Sequence, residues 1–211
     1  MKNRRIGVLI SGRGSNLQAM LDSISNGTLD ATIAIVISNK ANAEGLERAR
    51  QAGIETLYIS HKDYESREAF DLAVVAQLKD RDVALVCLAG FMRLLSAAFV
   101  KAFPNRILNI HPSLLPSFPG IDGQSQALEY GVKVSGATVH IVTPELDAGP
   151  IIRQAVVSVS DADTPDTLAA RILVKEHQIY PEAIDIMLSG GWRVEGRPFL
   201  HGCAQSRYDS R

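Results

Sequence analysis

The sequence predicts an α/β protein, a three-layer fold in which an open, mostly parallel but mixed sheet carries helices on both faces. Three observations predict it. Short β-branched runs alternate with amphipathic stretches through the first half of the chain, the βαβ signature of a parallel sheet. A glycine turn, Ser11-Gly12-Arg13-Gly14-Ser15, follows the first apolar run and opens a helix. Late in the chain two extended runs, 134–142 and 151–159, lie close enough in sequence to pair as an antiparallel or mixed edge.

The elements follow in order. Strands are expected near 5–10, 32–38, 56–59 and 83–88, separated by helices near 15–25, 43–52 and 64–80. A helix near 96–103, a strand over 106–111, a Pro-rich loop at 112–120 and a helix near 124–130 come next. Thr164-Pro165 reads as an N-cap followed by proline at the first helical position, and the last helix runs from there to about Ser189, before Gly190-Gly191, with a kink expected at Pro181. After Trp192 the sequence turns polar, and 202–211 has the composition of a frayed tail. The 211 residues fit one domain over 1–190, with a C-terminal tail over 191–211.

Hydrophobic content of 46% with 21% charged residues is that of a soluble globular protein. A net charge of −1 provides no basic footprint, so a nucleic-acid partner is not expected. Cys87 and Cys203 are spaced for neither a metal site nor a disulfide framework, and a reducing cytoplasm is the expected location. The apolar run behind the basic start is too short for a signal segment, and nothing approaches the roughly 20 apolar residues that span a bilayer, so no membrane partner is expected. Oligomeric state is not legible, because a helix face buried in a dimer looks like any apolar stripe; a homodimer is one arrangement the sequence allows.

The glycine turn admits two readings. It can be a tight βα turn capped by Ser15 or Asn16, or an anion site built from backbone N–H groups. A dinucleotide fingerprint would want a third small residue where Leu17 stands, and an acidic residue after the second strand, which ends instead in Ser38-Asn39-Lys40. A P-loop would need Gly-Lys-Ser/Thr. NAD and ATP are therefore not expected, and what survives is a site for one phosphate on a small substrate, with Gly14, Ser15 and Asn16 donating.

In Asn109-Ile110-His111-Pro112-Ser113-Leu114-Leu115-Pro116 the strand ends at a proline, which has no N–H to donate. Alternate residues of a strand share a face, so Asn109 and His111 point together and could address one carbonyl. An amide, an imidazole and a carboxylate are the parts needed to hold an oxyanion and move a proton, and Glu145-Leu146-Asp147-Ala148-Gly149-Pro150 offers the carboxylate. Taken singly, His111 reads as a core histidine, Asn109 as a turn former and Asp147 as a turn residue. Placed together at a strand's carboxyl end they read as a site. His140 reads as a packed or edge histidine. Five histidines without a helical i, i+4 pair or clustered carboxylates argue against a metal.

These segments, with Ser38-Asn39-Lys40, Gly45-Leu46-Glu47-Arg48-Ala49, Ser66-Arg67-Glu68-Ala69 and Leu88-Ala89-Gly90-Phe91-Met92-Arg93, resemble the single-domain folate-dependent glycinamide ribonucleotide formyltransferases of purine biosynthesis over about residues 5 to 190. The Asn-x-His and Leu-Asp-x-Gly pieces are shared with other formyl-group transferases; the glycine turn followed by Ser15-Asn16-Leu17-Gln18 discriminates more sharply. The resemblance implies a formyltransferase fold with a Rossmann-like N-terminal half. It implies transfer of a formyl group from 10-formyltetrahydrofolate, as co-substrate, to the amine of 5-phosphoribosylglycinamide. It makes 1–100 the phosphate-binding half and 101–190 the folate and catalytic half. His111 would be the proton donor, Asn109 would bind the formyl oxygen, and Asp147 would raise the basicity of His111. Gly14, Ser15 and Asn16 would hold the phosphate, Glu176 would approach the ribose, and Arg67, Met92, Arg93, Leu94 and Leu95, with Asn109, would hold the folate. From the residues alone Met92, Leu94 and Leu95 read as core packing.

One departure stands. Gly120-Ile121-Asp122-Gly123-Gln124-Ser125-Gln126-Ala127 contains no histidine where many relatives have one or two, and the resemblance carries no role for that stretch. A formyltetrahydrofolate hydrolase or a methionyl-tRNA formyltransferase would share the trio but needs an additional domain. A non-catalytic phosphate-binding module is the alternative from another class.

Overall fold

The ladder of the sheet begins with β1 (Arg5–Ile10), buried along nearly its whole length. In this computed structural model, which describes residues 3–202, α1 (Ser15–Ser25), β2 (Thr32–Ser38), α2 (Glu44–Gln51), β3 (Thr56–Tyr58), α3 (Arg67–Asp80), β4 (Leu85–Leu88), α4 (Ala97–Ala102) and β5 (Ile107–His111) follow. Then come α5 (Gly123–Tyr130), β6 (Val134–Ile141), β7 (Ile151–Ser158) and α6 (Pro165–Ser189). The seven strands lie in the order β3-β2-β1-β4-β5-β6-β7. The first five in sequence are parallel, and β6 and β7 pair antiparallel. The chain winds outward from β1 to β3 and then returns to place β4 on the other side of β1. That reversal puts the topological switch point between β1 and β4, where open α/β sheets bind ligands at the strands' carboxyl ends.

Each face of the sheet has its own core. Ile6, Val8 and Ile10 pack with Leu17 and Met20 of α1, Leu46 of α2, Ala127 of α5 and the apolar stripe of α6. Leu9, Val86 and Ile107 pack on the other face with Phe70 and Val74 of α3 and Phe99 of α4. This is the three-layer mixed sheet expected, with strand bounds within about two residues. A short 3-10 turn, His61–Asp63, occupies the approach to α3, which starts at Arg67 because the Ser66 hydroxyl accepts the Ala69 N–H at 3.0 Å.

Thr164 and Thr167 exchange side-chain and backbone hydrogen bonds at the start of α6, with Pro165 behind them. The helix is continuous through Pro181, so the kink expected there does not divide it. The fully buried Tyr180 hydroxyl lies 2.9 Å from the Leu88 carbonyl and 3.1 Å from that of Leu108, tying α6 to the ends of β4 and β5.

A correction concerns the region after α6. The sequence reads as a polar tail there, whereas β8 (Trp192–Val194) and β9 (Phe199–His201) form an antiparallel hairpin packed on the core. Trp192 stacks on Phe199 with centroids 5.6 Å apart, carries the Arg106 guanidinium 5.1 Å from its ring, and donates its indole N–H to the Met187 carbonyl at 3.0 Å. Two rings burying area at low entropic cost outweigh the polar composition around them. Cys203 and the frayed tail expected over 202–211 lie outside the described residues, except Gly202.

Candidate active site

Leu108 and Ile110 of β5 point into the core beneath α6, which turns Asn109 and His111 to the opposite face. The antiparallel partner β6 sets His140 directly opposite Asn109 and Thr138 opposite His111. Four polar side chains thus share one patch. Asp147 arrives from the segment between β6 and β7, in a left-handed conformation with φ 47°. The turn that brings it needs Gly149, since a Cβ there would lie 1.8 Å from the Ile141 carbonyl oxygen.

Asp147 Oδ2 is 3.5 Å from His111 Nδ1, and Oδ1 is 3.6 Å from His140 Nε2. Oδ2 also accepts the Gly120 N–H at 2.8 Å. Burial pushes the Asp147 carboxyl up, but the hydrogen bond from His140, the Gly120 N–H and the imidazole charges outweigh it and hold the group below the usual carboxylate range. His140 directs Nδ1 at the Ile141 carbonyl, 3.0 Å away, and its Nε2 lies 3.3 Å from the Asn109 amide nitrogen and 3.6 Å from Asp147 Oδ1. His111 Nε2 donates to the Phe118 carbonyl at 2.8 Å, and the Ser113 hydroxyl reaches the same carbonyl at 3.2 Å.

The structure therefore brings Asn109, His111 and Asp147 together, and adds His140. That histidine is packed, as the sequence suggests, but it also contacts two members of the trio. Period-two alternation against Ala137, Val139 and Ile141 assigns it a face; only the strand register shows what lies opposite.

At the glycine turn the helix-capping position is Gly14, with φ 72° and no side-chain cap bond, so neither Ser15 nor Asn16 caps α1. The Asn16 amide instead donates to Glu176 Oε2 at 2.7 Å, uniting two residues 160 positions apart. Both are buried, and Asn16 Oδ1 has no partner. Burial pushes the Glu176 carboxyl up, opposed by the Asn16 bond. A raised folded-state value means the folded chain holds this proton more tightly, so stability falls as pH climbs from the ordinary glutamate value through the raised one. Glu176→Gln is accordingly expected to melt at a higher temperature than the wild type at pH 7.5, with the advantage gone below about pH 4. Melting curves at the two pH values check it; a lower Tm at pH 7.5 would mean the carboxylate is stabilising.

The loop after β4 carries four of the five remaining predicted residues. Met92 is 74% and Leu94 58% exposed, which excludes core packing for both, whereas Leu95 packs against the second core. The Arg93 guanidinium lies 5.1 Å from the Phe70 ring centroid, and its buried Nε has no partner. Arg67 is exposed at the start of α3, one helical turn before that Phe70. Because β1, β4 and β5 are adjacent, the glycine turn, this loop and the Asn109 patch lie side by side along the carboxyl edge. Among the described residues no group of three or more His, Cys, Asp and Glu is placed to hold a metal ion, and no helix is long and apolar enough to cross a membrane.

The chain is similar to known proteins over most of its length. Residues 4–184 match the family described as formyl transferase. The phosphoribosylglycinamide formyltransferase of Escherichia coli is 48% identical over 194 residues, covering 92% of this chain and 89% of the relative. The human trifunctional purine biosynthetic protein adenosine-3 is 51% identical over 189 residues, 90% of this chain, but the chain spans only 19% of that protein's length. The crystal structure of glycinamide ribonucleotide transformylase 1 from Symbiobacterium toebii superposes with a TM-score of 0.92 at 55% identity, covering 93% of each chain.

Proposed function

The chain belongs to the formyl transferase family, and on that premise we propose that it transfers the formyl group of 10-formyltetrahydrofolate to the amine of 5-phosphoribosylglycinamide, yielding the N-formyl product and tetrahydrofolate in purine biosynthesis. The observation that carries this reading is the convergence of Asn109, His111, His140 and Asp147 at the carboxyl end of β5, beside a glycine turn opening a helix.

In the proposed reaction the amine nitrogen bonds to the formyl carbon, the bond from that carbon to the folate nitrogen breaks, and one proton moves from the amine to the departing nitrogen. The contact of the Asn109 amide nitrogen with His140 Nε2 fixes the plane of the amide, and its N–H groups suit the developing oxyanion. As an imidazolium, His111 has an acceptor for each N–H, the Asp147 carboxylate and the Phe118 carbonyl. Approach of the reacting carbonyl would draw the Nε2–H from Phe118, whose oxygen keeps only the longer, 3.2 Å branch of a Ser113 hydroxyl that donates chiefly to the Ser117 carbonyl at 2.6 Å. His111 then delivers the proton and recovers one from the amine.

Backbone N–H groups at the start of α1 suit a phosphate, and Glu176 suits a ribose hydroxyl. The exposed Met92 and Leu94 suit a pterin, and the cations Arg67 and Arg93 suit its glutamyl tail. Gly14→Ala tests the cradle, because a side chain at φ 72° is strained and its Cβ would stand 2.6 Å from the Gly45 Cα. Affinity for 5-phosphoribosylglycinamide should fall about tenfold or more, from roughly 1–2 kcal/mol of left-handed strain, as read by titration calorimetry; unchanged affinity would remove the phosphate assignment.

The deciding assay mixes purified protein with 10-formyltetrahydrofolate and follows loss of the formyl group with and without the amine. Amine-dependent loss is expected. Loss without amine would make the chain a hydrolase, and no loss with retained phosphate-ester binding would make it a non-catalytic module.

A further inference from the structure

The β1–β4 ladder ends at the Leu9–Leu88 pair, and the two chains then part. One enters the glycine turn, the other the exposed loop at 90–95. Ser11 stands at the fork. Its N–H donates to the Gly90 carbonyl at 3.0 Å, its hydroxyl oxygen accepts the Met92 N–H at 2.9 Å, and its own proton goes to Asn39 Oδ1 at 2.7 Å. A hydroxyl has one proton, so donation to Asn39 fixes which lone pairs face Met92. Ser11 and Asn39 are 7% and 6% exposed, away from competing water. From Asn39 the chain leads to α2, where the Gly45 N–H donates to the Gly12 carbonyl at 3.1 Å. The loops after β1, β2 and β4 therefore meet on one serine.

This inference rests on the reading in which the glycine turn holds the phosphate and the 92–95 segment the folate. We propose that Ser11 is a positioning residue whose hydroxyl sets the separation of the two substrate sites, and with it the approach of amine to formyl carbon. A misplacement of about 1 Å between reacting groups can cost on the order of 10² in rate.

Ser11→Ala, Asn39→Ala, the double variant and Asn39→Asp, each in the full chain, test it through kcat, both KM values and Tm. Ser11→Ala is expected to lower kcat at saturating substrates by about tenfold or more. Asn39→Ala should do the same in smaller measure, and the double variant should be no slower than Ser11→Ala, since both remove one bridge. Asn39→Asp keeps an acceptor for the serine proton and should recover most of the rate. A Tm loss with unaltered kcat and KM would make Ser11 merely structural and overturn the proposal. Should Ser11→Ala not fold, equal kcat in Asn39→Ala and Asn39→Asp overturns it instead. A wild-type chain inactive with this substrate pair would remove the functional reading itself, whereas indifferent variants of an active enzyme remove only the positioning role.

Discussion

His111→Ala is expected to lower kcat by about 10²- to 10⁴-fold, the range that a positioned general acid contributes, while affinity for 5-phosphoribosylglycinamide changes far less. The separation of effects follows from the sheet. The glycine turn leaves β1, His111 ends β5, and β4 lies between them, so truncating the ring alters no group near Gly14 or Ser15. Truncation also removes the main donor to the Phe118 carbonyl, which keeps only the longer branch of a Ser113 hydroxyl directed at Ser117, so a modest loss of Tm is expected beside the loss of rate. Single-turnover rates give the chemical step and calorimetry gives the affinity. A variant within about threefold of the wild-type rate, where a general acid should contribute about 10²-fold or more, would end the proton-transfer assignment.

Asp147→Asn should cost on the order of 10²-fold or more in kcat with nearly unchanged shape. The amide can still accept the Gly120 N–H, but it then turns an NH₂ toward an imidazole nitrogen and removes the charge facing two rings. The wild-type carboxyl is held below its ordinary range by His140, Gly120 and His111 against the opposing effect of burial. A lowered folded-state value contributes stability that is present above the ordinary carboxylate pKa and lost as pH falls through the lowered one. Melting curves should therefore show the variant below the wild type near neutrality and the gap closing in acid, below about pH 4. Equal Tm values at pH 7, or a gap that widens in acid, would contradict the charge interaction described here.

Much of this arrangement could be read before any coordinates. Alternation of β-branched and amphipathic stretches located the strands and helices of the main sheet, and period two along Leu108, Asn109, Ile110 and His111 assigned the amide and the imidazole to one face. Other parts depend on pairing. His140 matters because β6 runs antiparallel in a register that places it across from Asn109, and register is a tertiary property. The 117–120 stretch meets His111 and Asp147 through the Phe118 carbonyl and the Gly120 N–H, atoms that every residue type presents alike. Its lack of histidine therefore says little about its contacts. Met92 and Leu94 read as core because apolar composition does not disclose orientation, and the hairpin at 192–201 is held by rings too widely spaced to form a periodic signal.

The proposed reactive groups all derive from one contiguous stretch between Asn109 and Asp147, whereas the phosphate cradle belongs to the first turn and its Glu176 companion to α6. Acceptor choice and bond-making chemistry are thus modular along the chain. Divergence toward a different amine could proceed by remodelling the early loops and one helical position, leaving the formyl-handling module intact.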